Sequence, residues 1–599
     1  MYKKNKFLTI LITSLFLNFI SLSSYAVVVA NINITQPEHH LAEIEITFER
    51  ANDNSLQFKL PTWRTGRYEI LKLANGVRKF SVKDKNGNEI PWEKIDKNTW
   101  QVSHVNGKQL TVSYQLYANQ LGKRTRHIDD SHAFLDASAV FMYTPTQRNS
   151  SYLINLSVPT KWRSVSGLQN GDNSQQFFAE NYDVLVDSPI ETGIHKSKKF
   201  KVDGRDYELI VWGAGNYDFE QMVEDLKILV KQPQKIWGDY PFSRYVFMVH
   251  ATSGARGATE HINSTIIQRS RYAFNSRKDY LGFLSTASHE LVHTWNVKHY
   301  RPEGLVPYDY QQENYTNLLW LAEGSTSYLQ SQLLMRGELM TSKEYLTELA
   351  KRITDYMHKP GRNSQTVAQA SFNNWISEGG DYAQNNSVNI YSEGFLVSWL
   401  LDFDILQTTQ LKKSYRDVHN LLYKNFSLPH AYSEDDVKTV IKEVTGIDYN
   451  DWWQQNIDGH PKPNFEKLLS HAGLEMSYGE KKKNISWSGI RTKKHNNGLE
   501  VVGIEKDSPA WQGGLSLSDI IIAINGLRVT GDDLKTRLAN FKANTKIEIT
   551  FFRRDQLMKK TLTLAEIPKE ILKIKPLKQA SEQQKAFFKA WTGLDYPEK

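Results

Sequence analysis

The segment His289-Glu290-Leu291-Val292-His293 combines residue types and a spacing that suit metal chemistry. On a helix, positions i and i+4 share a face, so His289 and His293 can direct two imidazoles at one ion. Glu290 is offset from that pair and can reach a water beside the ion without being a ligand. The chain has no cysteine, which excludes disulfides, thiolate sites and a cysteine nucleophile. Any metal must therefore be held by His, Asp or Glu. A catalytic zinc needs three protein ligands and one open position. Two carboxylates compete for the third place: Glu313, in the polar stretch YDYQQENYTN, and Glu323, in the apolar run LLWLAEGSTSYL. A ligand must be held rigidly by its surroundings, which favours Glu323 on a packed helix.

These residues need a scaffold, and 599 residues exceed one ordinary core. Residues 1–26 read as a secretory signal peptide: three lysines, an apolar stretch, then Ser24-Tyr25-Ala26. This predicts an exported, periplasmic or secreted protein with no membrane span after cleavage. Residues 27–193 alternate in hydrophobicity, as in LAEIEITFE and KQLTVSYQLYA, and predict an N-terminal β-sandwich-like domain. Residues 194–478 pass from strand-like RYVFMVHA to helical LGFLSTASHELVHTWNVK and YSEGFLVSWLLDFDILQ. Helical periodicity is expected over Phe219 to Trp237. Residues 479–567 form a compact β-rich module, and 568–599 a tail. Its segment SEQQKAFFKAWTGL predicts an amphipathic helix that docks through Phe587, Phe588 and Trp591.

The formal charge is +8, and loss of the leader's three lysines leaves +5. Residues 480–599 hold 23 Lys/Arg against 14 Asp/Glu, so the rest of the mature chain is negative. The basicity is local, with a lysine run at 481–483 that reads as solvated linker, and nucleic-acid binding is not expected.

H-E-x-x-H followed on a second helix by W-x-x-E-G resembles the gluzincin metallopeptidases, specifically their aminopeptidase branch. Gly257-Ala258-Thr259-Glu260-His261 resembles the element that holds a substrate's free α-amino group, which assigns Gly257 and Glu260 to substrate binding. Ala258-Thr259 replaces the family's usual Gly-Leu there. Tyr391-Ser392-Glu393-Gly394 resembles the element whose tyrosine stabilises the transition state. HELVHTWNVK, PYDYQQENYTNLLWLAEGSTSY and Glu260-His261 together are most similar to the glycyl-aminopeptidase family. That resemblance implies a multidomain α+β protein: an N-terminal β domain, a thermolysin-like catalytic domain with a mainly helical C-terminal half, and a C-terminal PDZ domain. It implies one Zn²⁺ on His289, His293 and Glu323, with Glu290 as base and acid and Tyr391 as oxyanion donor. The implied substrates are peptides with a free N-terminus and a small first residue, Gly or Ala. Each role has a structural rival, since Glu260 suits a strand end, Tyr391 a core position, and His261, His250 and His299 ordinary buried histidines.

GLEVVGIEKDSPAWQGGLSLSDIIIAINGLRV resembles a PDZ domain of the bacterial-protease type. Ser488, Gly489 and Ile490 would then line a groove for peptide C-termini, or one filled by another part of the chain. Two further readings stand beside the aminopeptidase: a PDZ-containing peptide-binding or chaperone-like protein with a vestigial metal site, and a zinc endopeptidase.

Overall fold

The computed structural model describes residues 27–50, 53–478, 486–529, 534–568 and 571–597. The expected leader, residues 1–26, and the lysine run 481–483 lie outside them.

The N-terminal region is built on a seven-stranded sheet. Its order is Gln169–Asn170, Gln176–Ala179, Ser151–Ser157, Val27–Asn33, Leu41–Phe48, Leu110–Tyr117 and Val77–Asp84. Alternation along the strands buries Val28, Ala30 and Ile32 on one, Ala42, Ile44 and Ile46 on the next. Thr99–Ser103 belongs to a separate three-stranded sheet. A four-stranded sheet runs Arg163–Ser166, Ile190–Gly193, His132–Leu135 and Arg126–Ile128. It faces the next domain, where Phe134 and Val165 join Ile210, Val246, Met248 and Ile266 in one apolar cluster.

That next domain opens with a five-stranded sheet made of β1 (His195–Val202), β2 (Arg205–Trp212), β3 (Arg244–Thr252), β4 (Gly257–Glu260) and β5 (Ser264–Ser270). The order is β1-β2-β3-β5-β4, with β2, β3 and β5 mutually parallel and β4 antiparallel to β5. β3 carries the unbroken apolar run expected of a strand buried on both faces. β4 is an edge strand, so one side of its backbone is free to pair.

Helices follow: α1 (Arg277–His293), α2 (Ser325–Arg336), α3 (Gly380–Asn386) and α4 (Ser392–Thr408). α1 is capped by Ser276, whose side chain accepts from the Asp279 N–H. The helix expected over Phe219 to Trp237 is two helices, Phe219–Leu229 and Gln234–Trp237. Pro233 stands between them, and a proline has no N–H to continue the ladder. The stretch expected as one helix around Glu323 contains a π-helical turn, Trp320–Gly324, directly before α2.

A third cluster, including Leu499, Val501, Ile521, Ile549 and Phe551, forms the core of the C-terminal β module. Its sheet has Ile490–His495 at one edge, next to Gly498–Ile504. The module is fastened to α3 by side chain to main chain bonds. Asn385 Nδ2 donates to the Ile504 carbonyl (2.7 Å), Lys506 N to Asn385 Oδ1 (2.8 Å) and Ile504 N to Asp381 Oδ1 (2.6 Å).

The tail forms α5 (Glu582–Thr592), with Phe587, Phe588 and Trp591 buried where it packs on α2 and α4. Trp591 packs on Phe403 and Trp399, and its indole N–H donates to the Tyr328 hydroxyl (3.0 Å). Arg336 and Arg416 donate to the carbonyls of Ala590 and Trp591, acceptors that a helix end leaves without partners. Trp591→Ala removes a fully buried indole and should cost about 3–5 kcal/mol. A marked drop in thermal midpoint checks this; an unchanged midpoint would mean that the tail does not hold the helices it packs on.

Candidate functional site

α1 delivers the two histidines from its last two turns. His289 and His293 place their Nε2 atoms 3.1 Å apart. Their Nδ1 atoms are committed elsewhere: His289 Nδ1–H donates to Gln330 Oε1 (2.7 Å) and His293 Nδ1–H to the Asn296 carbonyl (3.0 Å). A main-chain carbonyl only accepts, so His293 carries a proton on Nδ1, and its Nε2 is the nitrogen that would offer a lone pair to an ion. Gln330 orients His289 in the same way. Glu323 Oε2 lies 3.2 Å from His293 Nε2 and 3.8 Å from His289 Nε2. Two imidazole lone pairs and a carboxylate oxygen thus face one point. This donor set fits a divalent ion such as zinc.

The π-turn aims Glu323. Asn296 Nδ2 donates to the carbonyls of Leu321 (2.8 Å) and Ala322 (3.1 Å), and sits 3.0 Å from Thr326 Oγ1. The segment just beyond α1 therefore grips the turn that carries the third carboxylate. Gly324 and Gly394 make the other close approach. A Cβ on Gly324 would lie 2.3 Å from the Gly394 Cα, and one on Gly394 would lie 2.7 Å from the Gly324 Cα. Without side chains at either position, the start of α4 presses on the π-turn and brings Tyr391 beside His289, ring centroids 6.1 Å apart. Glu313 is half-buried and does not belong to the His289, His293, Glu323 group.

Glu290 is 5% exposed, and its Oε2 has no hydrogen-bond partner. Burial raises its pKa, the nearby Glu260 and Glu323 carboxylates add to the rise, and His293 and Arg124 oppose it. Tyr391 is 39% exposed at the cleft, yet desolvation of its hydroxyl and the Glu323, Glu260 and Glu290 carboxylates hold its pKa well above the usual phenol value. The hydroxyl stays protonated and able to donate.

Glu260 ends β4 and is buried, with Oε1 lacking a hydrogen-bond partner and standing 4.0 Å from Lys298 Nζ. A loop of the N-terminal domain closes over it: a Cβ on Gly66, whose φ is +76°, would lie 2.5 Å from both Glu260 carboxylate oxygens. Gly257, at the other end of β4, lies under the Arg124 guanidinium, which donates to Thr259 Oγ1 (3.0 Å) and the Arg256 carbonyl (2.9 Å).

Several contributors had no distinctive sequence signal. Lys298 is fully buried and pairs with Asp187 Oδ1 at 2.6 Å, a contact between the catalytic segment and the N-terminal domain. Thr65 Oγ1 donates to the same oxygen (2.9 Å), and His261 Nδ1 lies 3.5 Å from it. His261 thus belongs to the charge network behind Glu260 rather than to the group with His289 and His293. His299 bonds the Thr294 carbonyl, and burial pushes its pKa down to about 4. His250 lies at the joint between domains, its Nε2 2.9 Å from Glu191 Oε2, with His132 Nδ1 2.8 Å from Glu191 Oε1.

In the C-terminal module, Ser488, Gly489 and Ile490 stand at the start of the edge strand Ile490–His495. Gly489 has φ +76°, and a Cβ there would lie 2.2 Å from the Ser508 Cβ. The Gly489 carbonyl accepts from Glu505 N (2.9 Å), the Ser488 carbonyl from Ala510 N (3.0 Å), and Ile490 N donates to Ser488 Oγ (3.3 Å).

A helix-borne histidine pair, a carboxylate from the adjoining helix and an unpartnered glutamate over an edge strand define a metal-dependent peptidase. The matching families agree. The peptidase M61 N-terminal domain matches residues 30–194, the M61 glycyl aminopeptidase domain 282–397 and a PDZ domain 488–564. Residues 282–397 thus match an M61 glycyl aminopeptidase domain, preceded by an M61 N-terminal domain and followed by a PDZ domain. Among solved structures it is similar to an aminopeptidase N family protein from Idiomarina loihiensis, with 26% identity and a TM-score of 0.88 over 94% of this chain and 100% of that one. An M1 zinc metallopeptidase from Deinococcus radiodurans is a looser likeness, with 12% identity and a TM-score of 0.46 over 73% of this chain and 95% of that one. No curated protein sequence matches the chain. No described helix is long and apolar enough to cross a membrane.

Replacing Lys298 by Met would leave Asp187 buried beside Glu260 without its lysine partner. The expected loss is about 3–5 kcal/mol, the range for breaking a buried pair from one side. A denaturation series checks it; a variant as stable as the parent would mean that the charge network does not join the two domains.

Proposed function

We propose that the protein is an exported zinc aminopeptidase that removes small N-terminal residues, Gly or Ala, from peptides. The observation that carries this reading is the placement of a buried carboxylate with an unpartnered oxygen, Glu260, on the same cleft as the His289, His293 and Glu323 donor set. A buried carboxylate oxygen without a donor suits a ligand that brings one, and an α-ammonium brings three.

His289, His293 and Glu323 would hold the ion, which supplies Lewis acidity and lowers the pKa of a coordinated water. Glu290 takes the proton of the attacking water and passes one to the leaving amine; the burial that raises its pKa suits it to both transfers near neutrality. Tyr391 donates to the oxyanion that develops at the scissile carbonyl, an interaction stronger in the transition state than in the ground state. Glu260 pairs with the ammonium, and the free edge of β4, with Gly257 beyond it, carries the following residues by strand addition. The match to the M61 glycyl aminopeptidase domain supports the preference for a small first residue, and Tyr68 stands near the site. This tyrosine is buried on the N-terminal loop that covers Glu260, within electrostatic reach of Glu323, Glu260 and Tyr391. The leader at 1–26 supports export, and the edge strand Ile490–His495 supports peptide C-termini as ligands of the PDZ domain.

Hydrolysis of Gly-, Ala- and Leu-arylamides and of an N-acetylated glycine arylamide, with and without chelator, tests the reading. The expected order is Gly and Ala above Leu, with no cleavage of the blocked compound and loss of activity on chelation. Glu290→Gln should lower kcat by a factor on the order of 10² to 10⁴. Equal cleavage of blocked and free substrates would point to an endopeptidase, and chelator-insensitive activity would overturn the metal assignment.

A further inference from the structure

Beyond Glu290 the cleft continues into a pocket of about 260 Å³ between β4, β5 and the outer face of α1. His289 and Glu290, Gly257 and Ala258 of β4, and Ser285 and Thr286 of α1 line it. Two arginines, Arg256 and Arg269, also line it. Glu290 is the one carboxylate among the described residues that line it.

Neither arginine is held in an ion pair with a carboxylate among the described residues. Arg269 donates to two main-chain carbonyls, Ala273 (3.3 Å) and Asp279 (2.8 Å), and lies over the Phe274 ring. No ion pair joins it to a described carboxylate. Arg256 is exposed, and its side chain has no hydrogen bond or ion pair among the described residues. Its main chain is fixed, because Arg124 Nη1 donates to its carbonyl. Two cations lining one pocket repel each other: desolvation lowers the pKa of Arg269, Arg256 lowers it further, and the Asp279 carboxylate offsets part of this. An anion between them relieves that repulsion.

The position of the pocket identifies the anion. Glu260 and Gly257 lie three residues apart on β4, a separation of about 10 Å in an extended strand. A substrate whose ammonium sits on Glu260 and whose chain follows the free edge of β4 passes its scissile bond by Glu290. Its second residue then reaches the level of Gly257 and Arg256. In a dipeptide the α-carboxylate belongs to that second residue.

On the aminopeptidase reading above, we infer that Arg256 and Arg269 form an anion subsite for the carboxylate of short peptides, which makes dipeptides and other peptides ending just past the scissile bond the preferred substrate class. Guanidinium suits this task because its planar fork matches a carboxylate. The contact involves a group remote from the reacting bond and stays the same as the reaction proceeds. It should therefore act on KM rather than on kcat.

The test compares Gly-Ala with Gly-Ala amide, which differ only in the terminal carboxylate, in the wild type, Arg256→Ala and Arg269→Gln. The wild type should favour the acid over the amide in kcat/KM by about tenfold, carried by KM, as expected for one charge-assisted contact. Arg256→Ala should bring the ratio close to one, and Arg256→Lys should restore part of it. A wild-type ratio near one, or a ratio preserved in both Arg256→Ala and Arg269→Gln, would overturn the subsite while leaving the aminopeptidase reading intact. Absence of chelator-sensitive hydrolysis of both compounds by the wild type would contradict the aminopeptidase reading and the subsite with it.

Discussion

Three carboxylates, Glu260, Glu290 and Glu323, are buried around one cleft, and their mutual repulsion is the constraint that the surrounding structure answers. Each is answered differently. Glu323 faces two imidazoles whose Nδ1 protons are held outward, so its oxygen and their lone pairs converge on a place for a cation. Glu290 is pushed toward its protonated form. Glu260 has Lys298 4.0 Å away but keeps an oxygen without a hydrogen bond. A site tuned this way is short of positive charge in two places, and a metal ion and a substrate ammonium would supply it.

The domains cooperate to hold that arrangement. The N-terminal domain contributes Asp187, which pins Lys298, and the loop of Gly66 and Tyr68, which covers Glu260. Arg124 from the same domain braces the far end of β4. The helical half contributes His289, His293 and Glu323, and the approach of Gly324 to Gly394 brings Tyr391 beside His289. The PDZ domain is fastened through Asp381 and Asn385 of α3, a few residues before Tyr391. These contacts make the N-terminal and PDZ domains part of the site's support.

Much of the centre was legible in the sequence because its spacing is local. His289 and His293 are one helical turn apart, and the apolar context of Glu323 distinguished it from Glu313. The docking of Phe587, Phe588 and Trp591 followed from their crowding on a short helix. Other features depend on contacts between distant segments. Lys298 and Asp187 are 111 residues apart, and the fork of Arg256 and Arg269 exists only because β4 folds back against β5. The π-turn at Trp320–Gly324 differs from a regular helix by hydrogen-bond register alone, which apolar periodicity does not encode. The glycines of the W-x-x-E-G and Y-x-x-G segments acquire their reason only when the two backbones are seen to touch.

The central claim is that His289, His293 and Glu323 together hold one divalent ion. Metal analysis of the purified wild type, Glu323→Ala and Glu313→Ala, each checked for folding by circular dichroism, tests it most directly. The account predicts one equivalent of zinc in the wild type and in Glu313→Ala, and almost none in folded Glu323→Ala. Retention of zinc by Glu323→Ala, or its loss from Glu313→Ala alone, would contradict it.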